Sequence, residues 1–153
     1  MKKAKSIQAS KTVLSEVMMP IHANHYGSLH GGTILTLVDE AAFVAASKHA
    51  RSNVVIASMD HILFKQPVNI GDLLIVKAQL CYVGKSSMEV EVEVEAEKLK
   101  EGKVIHIGSA YITMVALDEN GKQFKLTTRN IPARVIQHEI DHLNGKLITD
   151  EPR

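Results

Sequence analysis

The chain has 153 residues, which sets a single domain as the prior. Hydrophobic residues at 45% and charged residues at 23% fit a globular chain with a packed core and exclude a disordered one. Lys and Arg number 18 against 17 Asp and Glu, so a net charge of +1 gives no electrostatic footprint for nucleic acid. The single cysteine, Cys81, cannot form an internal disulfide, and a reducing compartment is expected, the cytoplasm being the simplest. The basic start Met1-Lys2-Lys3 is followed by a mixed, polar Ser6–Ser15 without an apolar core, unlike a secretory leader. No run approaches the ~18 apolar residues of a membrane span, since the longest, Ile34–Ala46, is interrupted by Thr36, Asp39 and Glu40. Neither membrane nor nucleic acid is therefore expected as a partner.

In chain order, Ser10–Met19 alternates loosely and predicts a strand, closed by Pro20. Ile21–Gly32 is turn-rich and carries His22, His25, His30 and three glycines. Thr33–Ala50 predicts a helix. Its apolar residues Ile34, Leu35, Leu37, Val38, Ala41, Ala42, Val44 and Ala45 cover most of the circumference, so burial on nearly all sides is expected. Four strand-like runs follow: Asn53–Phe64, Asp72–Val83, Met88–Glu97 and Val104–Leu117. Gly84-Lys85-Ser86 and Glu101-Gly102 read as the turns between the last three, and Asp118–Gly121 breaks the final run. Met88–Glu97 alternates apolar residues with glutamate throughout, which predicts one apolar face inward and one acidic face outward.

Short turns imply antiparallel neighbours, and one helix against such a sheet is an α+β design. A curved antiparallel sheet wrapped around one long central helix is the economical way to bury Thr33–Ala50. That arrangement is the hot-dog fold. It would occupy residues 1–125, leaving 126–153 as a C-terminal tail, expected to be helical.

The chemistry-bearing window is Ala23–Ala42. Gly31 and Gly32 stand where the helix begins, and the first helical turn has free N–H groups and the positive end of the dipole. Glycines there let a carbonyl oxygen approach closely as it gains negative charge; the ordinary alternative is a tight turn into a helix. Asp39 lies two turns further on, among Leu37, Val38, Ala41 and Ala42. A carboxylate in apolar surroundings is costly to bury unpaired. It suits a general base with a raised pKa, against the ordinary alternatives of an exposed position or a satisfied ion pair. Glu40 competes for the role: adjacent helical residues differ by roughly 100°, so only one faces a given pocket, and spacing does not say which. The spacing of His22, His25 and His30 is not a zinc pattern.

Asn24, Gly27, Gly31-Gly32 and Asp39-Glu40 occur in the order and spacing of a known motif. Further matches are Val55–Asp60, Phe64-Lys65, Val68, Gly71-Asp72, Val83–Glu89 and Ile112–Ala116. Over residues 10–125 the chain resembles the acyl-CoA hydrolase branch of the hot-dog thioesterases. The resemblance implies hydrolysis of an acyl-CoA thioester to a free carboxylic acid and CoA. It implies that Asp39 activates water or attacks the thioester, that Asn24 positions water or the carbonyl, and that the Gly32 and Thr33 backbone forms the oxyanion hole. His30 and Gly31 would border the pocket, with Ser58 a small polar residue near it. Gly84, Lys85, Ser86 and Ser87 would line the CoA path, an ordinary hairpin turn being the alternative. In that family the Asn and Asp of one site come from different units, so a dimer is implied, assembled further as a trimer of dimers. No cofactor or metal is implied, since coenzyme A is part of the substrate.

The tail does not fit this picture. Ala133–Asp150 resembles the metal-binding helix of peptide deformylases, with His138-Glu139-Ile140-Asp141-His142 as its His-Glu-x-x-His motif. On a helix His138 and His142 would share a face, with Glu139 as base. A deformylase also needs a cysteine ligand in Glu-Gly-Cys-Leu, whereas Cys81 sits in Gln-Leu-Cys-Tyr within a predicted strand. Two histidines without a third ligand hold zinc weakly.

The rival readings are therefore a metal-dependent amide hydrolase using this tail, a non-catalytic acyl-CoA-binding protein, and a hot-dog dehydratase. The last uses a catalytic histidine where this loop offers Asn24. The first is separable by mutation. Replacing His138 and His142 together with alanine should leave acyl-CoA hydrolysis nearly unchanged. A matched loss of activity and of bound metal, by assay and elemental analysis, would transfer the chemistry to the tail.

Overall fold

Strict alternation is the pattern of a strand covered on one face. The computed structural model, which describes residues 6–60 and 62–123, places that pattern in the middle of a sheet. The elements are β1 (Thr12–Val17), α1 (Gly31–Ala50), β2 (Asn53–Met59), β3 (Leu73–Val83), β4 (Ser87–Lys98) and β5 (Lys103–Leu117). Short 3₁₀ turns at Ile7–Ser10 and Pro20–His22 flank β1. The strands form one antiparallel sheet in the order β1-β3-β4-β5-β2. β3, β4 and β5 follow one another through tight turns. β2, coming after the helix, lies at the edge beyond β5, as far as possible from β1. This is the hot-dog architecture expected from the sequence.

The inward face of the sheet carries Leu74, Val76, Ala78 and Leu80, then Met88, Val90, Val92 and Val94, then Ala110, Ile112 and Met114, all buried. Against them α1 presents Ile34, Leu37, Val38, Ala41, Ala42, Ala45 and Ala46. Four alanines on the packed face bring the helix backbone close to the sheet. Each large apolar side chain withdrawn from water here contributes about 1.5–3 kcal/mol.

Several boundaries and faces differ from expectation. The helix begins two residues earlier than predicted, so Gly31 and Gly32 lie inside its first turn. It is not buried on all sides: Leu35, Thr36, Asp39, Glu40 and Phe43 are exposed, Phe43 at 48%. The sheet of a single chain curls over one side of α1 only. The strand expected at Asn53–Phe64 ends at Met59. Beyond it the chain still runs beside β5, held by Asp60 N–H to the Tyr111 carbonyl (2.9 Å) and Lys65 N–H to the Ile107 carbonyl (2.8 Å). The strand expected from Ser10 begins at Thr12, because Ser10 Oγ donates to the Ile7 carbonyl at 2.6 Å and closes the preceding 3₁₀ turn.

The glutamate face of β4 is also less open than alternation implies. Only Glu93 of its glutamates is exposed, and Glu89 is 5% exposed. The register sets Tyr82 and Thr113 beside Glu89, and Gln79 and Tyr111 beside Glu91. Tyr111 Oη donates to Glu91 Oε1 at 3.1 Å. Lys77 pairs diagonally with Glu95 at 3.0 Å, and that hydrogen bond together with the Glu95 charge holds the lysine above its ordinary pKa.

Gly108 gives a direct test of the packing beside β5. A Cβ at this position would stand 2.5 Å from the Leu63 carbonyl oxygen, which is backbone and cannot swing aside. Gly108→Ala is expected to cost about 1–3 kcal/mol in urea denaturation, the usual range for overpacking. Gly31→Ala, whose Cβ would meet only Phe64 Cε2 at 3.7 Å, should cost less than half as much.

Candidate active site

The loop before α1 is built by Asn24. Its Oδ1 accepts from the N–H groups of Tyr26 (2.9 Å) and Ser28 (3.2 Å), while its Nδ2 donates to Ser28 Oγ (2.9 Å). The backbone N–H of Asn24 donates to the Ser28 carbonyl at 2.7 Å, closing the turn around Gly27. An asparagine side chain that bonds the backbone two residues on is a standard way to fold such a turn. Leu29, buried at 7% exposure, anchors the loop, and its N–H donates to the Val68 carbonyl at 3.0 Å. At the tip Ile21 and Tyr26 project into solvent, 86% and 84% exposed.

His30 joins this loop to the helix. Its N–H donates to the His22 carbonyl (2.8 Å) and its own carbonyl accepts from Thr33 N–H (3.0 Å). As the N-cap of α1, its Nδ1 accepts from Gly32 N–H at 3.0 Å. A Cβ at Gly32 would stand 2.9 Å from that nitrogen, so the imidazole lies directly against the glycine. The two N–H groups read from sequence as open oxyanion donors, Gly32 and Thr33, are both engaged by His30 in this structure. Space over Gly32 is filled by the protein's own imidazole, and the Phe64 ring borders the space over Gly31.

Asp39 is exposed on the uncovered face of α1, as is Glu40, which corrects the expectation of an apolar, buried carboxylate. Helical spacing resolves the competition between them in orientation. Gly32, Thr36, Asp39 and Phe43 form one stripe, with Glu40 roughly 80° away from Gly32. Within the stripe Thr36 Oγ1 donates to the Gly32 carbonyl at 2.9 Å. Seven residues separate Gly32 from Asp39, about 10.5 Å along the axis.

The remaining candidates lie elsewhere. Ser58 is exposed on β2, opposite Thr113 and just past a bulge. The turn at Gly84, Lys85 and Ser86 is closed by Gly84 N–H to the Ser87 carbonyl (2.8 Å). The Ser86 carbonyl accepts from Ala116 N–H (2.9 Å), fixing this turn to the C-terminal end of β5. The Phe64 ring stands 3.7 Å from where a Cβ on Gly31 would lie and 3.8 Å from where one on Gly108 of β5 would lie. Eight strand residues from Gly108 to Ala116 span roughly 26 Å. One chain thus gathers Asn24, His30, Gly31, Gly32 and Thr33 at one junction, sets Asp39 further along the helix, and keeps Gly84–Ser87 at the far end.

Ser28, the partner of Asn24, went unread in the sequence, although Asn followed by Gly and Ser is an Asx-turn signal. His22 and His25 are engaged separately: His22 Nδ1 accepts from Met19 N–H at 3.0 Å, and His25 lies against Tyr26 with ring centroids 4.1 Å apart. Among the described residues no three His, Cys, Asp or Glu side chains form a metal-ligand group, and no helix is long and apolar enough to cross a membrane. A surface cavity lined by Ser47, Arg51, Ser52, Asn53, Leu117, Asp118 and Glu119 sits at the C-terminal end of α1 and includes none of the candidate residues. His138, Glu139, His142 and the expected tail helix lie outside the described residues.

Comparison with known proteins agrees with the architecture. Residues 26–103 match the thioesterase superfamily model. Residues 102–153 match the polypeptide deformylase model, but the first part of that stretch is β5, a strand between β4 and β2 in the sheet. Protein VdlD of Helicobacter pylori is 38% identical over 113 residues, covering 74% of this chain. The chain spans 64% of the length of VdlD. Among solved structures, an apo-hexameric acyl-CoA thioesterase superposes with a TM-score of 0.83 at 31% identity, covering 93% of this chain and 92% of that one. The acyl-CoA hydrolase of Staphylococcus aureus, solved with butyryl-CoA, CoA and CoA disulfide, gives 0.80 at 31% identity over 94% of both chains. By its sheet order, its central helix and these matches, the chain belongs to the thioesterase superfamily of hot-dog proteins.

Proposed function

We propose that the chain is an acyl-CoA thioesterase whose site is completed by a second copy, Asp39 coming from one chain and Asn24 with the Gly32 backbone from the other. The observation that carries this reading is the separation of Gly32 and Asp39 on one helix. An oxyanion donor sits about 3 Å from the carbonyl oxygen, and a base acting through one water must stand within a few ångströms of the carbon. Two groups whose backbones stand about 10.5 Å apart along one rigid helix suit two half-sites better than one whole site. Each chain therefore offers two half-sites, and a two-fold partner turns them into two whole ones.

The uncovered stripe of α1 and the exposed Val55 and Ile56 on the edge strand β2 support a second copy there. The expected dimer, and its assembly into a trimer of dimers, is further supported by the hexamer named for one structural relative. Solved variants of the S. aureus hydrolase, one with an aspartate and one with an asparagine replaced by alanine, support the choice of residues. Those two positions lie fifteen residues apart in that enzyme, as do Asn24 and Asp39 here.

In the reaction, Asp39 takes a proton from water as the oxygen attacks the carbonyl carbon. The oxyanion is held at the helix start, the C–S bond breaks, and CoA leaves as the thiol on return of the proton. Asn24, already fixed by its two backbone hydrogen bonds, has a second Nδ2 proton to orient the water or the carbonyl. Lys85 and its neighbours, roughly 26 Å along β5 from the helix start, suit the far end of a long ligand such as coenzyme A. No cofactor is needed for these steps. The buried Cys81 is consistent with a cytoplasmic setting.

Asp39→Asn should lower kcat by at least ~100-fold with the fold intact, as expected for loss of a general base. Near-normal turnover in that variant, with Glu40→Gln inactive, would move the role to the neighbour. The shared site has its own test. Asn24→Ala and Asp39→Ala are prepared separately, then unfolded and refolded together in equal amounts. Random pairing makes about half the dimers hybrid, and each hybrid holds one intact and one doubly damaged site. Activity should return to about a quarter of wild type on that count. If both residues acted within one chain, every site would keep a lesion and mixing would restore nothing.

A further inference from the structure

We propose that His30 is a displaceable cap: its imidazole holds the Gly32 N–H and gives it up to the thioester carbonyl when substrate enters. The inference rests on the hydrolase reading above and deepens it by assigning a positioning role to this residue. Three observations carry it. Nδ1 of His30 accepts from the Gly32 N–H at 3.0 Å, so the donor that the oxyanion requires is occupied. The ring stands 2.9 Å at Nδ1 and 3.1 Å at Cε1 from where a Gly32 Cβ would lie, so it fills the volume a carbonyl group would need. The side chain is exposed, and among the described residues this is the one hydrogen bond it makes, so moving the ring gives up that bond alone.

An acceptor at Nδ1 requires the neutral ring with its proton on Nε2. That tautomer presents a lone pair to the same N–H that a carbonyl oxygen would use. The imidazole thus acts as an internal stand-in for the substrate. It keeps the first helical turn satisfied, as an N-cap does, and must leave before the ligand can bind. Glycine at 32 is explained by the same geometry: any Cβ would push the ring off its cap.

Such a cap opposes substrate binding by about one hydrogen bond, which corresponds to roughly 3- to 10-fold in affinity. His30→Ala should therefore lower KM for an acyl-CoA by that factor, leave kcat within about twofold, and lower Tm. An ordinary substrate-contacting residue would do the opposite to KM. His30→Asn, whose side-chain oxygen is a good N-cap acceptor, should restore both KM and Tm toward wild type.

The amide resonance of Gly32 gives an independent readout on the wild-type oligomer. It should shift when a 2-oxoalkyl-CoA thioether, which keeps the carbonyl but cannot be hydrolysed, is added, together with the His30 ring nitrogens as they lose their partner. A KM that rises or stays unchanged in His30→Ala overturns the proposal, as does a His30 ring unmoved by the analogue. If wild-type protein hydrolyses no acyl-CoA and binds no analogue, the parent reading fails and takes the cap with it. That outcome is distinguishable because it appears before any substitution is made.

Discussion

An α-helix fixes distance. Its 1.5 Å rise per residue cannot stretch, so about 10.5 Å between Gly32 and Asp39 is a constraint that nothing else in the chain can relax. The donors at the helix start and the carboxylate share one stripe but stand two turns apart along it. The chain compensates by leaving that stripe uncovered, with Thr36, Asp39 and Phe43 exposed. The sheet seals only the opposite face, where Ala41, Ala42, Ala45 and Ala46 let it approach. The proposed second copy would cover this stripe and bury Phe43, Val55 and Ile56.

The two ends of the helix are treated differently. At the start, backbone donors are held by His30 and by a loop that Asn24 folds with three side-chain hydrogen bonds. Loops of this kind usually carry function because a rigid scaffold holds them in place. Here the scaffold includes Leu29 in the core and the bridge between Ser28 and Asn69. At the other end Arg51 stops the helix in the left-handed region, at φ 51°, and its N–H donates to the Ser47 carbonyl. The negative end of the helix dipole and Asp118 and Glu119 make that end a poor place for an oxyanion. The proposed site lies at the start of α1, away from the cavity at its C-terminal end.

Much of the fold was legible because it rests on local periodicity. Alternation over Met88–Glu97 located β4 within a residue at each end, and the long apolar run located α1. What failed were statements about neighbours. Alternation tells which side chains share a face but not what covers that face, so the half-burial of the glutamates under Tyr82 and Tyr111 was hidden. Counting apolar residues around α1 gave burial on all sides for the same reason, and so misplaced Asp39. The apolar Ile62, Leu63 and Phe64 prolonged β2 on paper. In the molecule they belong to an irregular segment packed close against Gly108. At the site, Asn24, Gly31, Gly32 and Asp39 stood out by residue type and spacing. The cap did not, since histidine is outside the usual N-cap set of Ser, Thr, Asp and Asn.

The central claim is that one thioester is gripped by two copies of this chain. It is tested most directly by a crystal structure of the protein with a 2-oxoalkyl-CoA thioether, a non-hydrolysable analogue that keeps the carbonyl. The expected result is the analogue's carbonyl within hydrogen-bond distance of one chain's Gly32 N–H, beside that chain's Asn24, with the Asp39 carboxylate of the other chain facing the carbonyl carbon. A ligand bound wholly within one chain, or seated against residues 126–153, would contradict it.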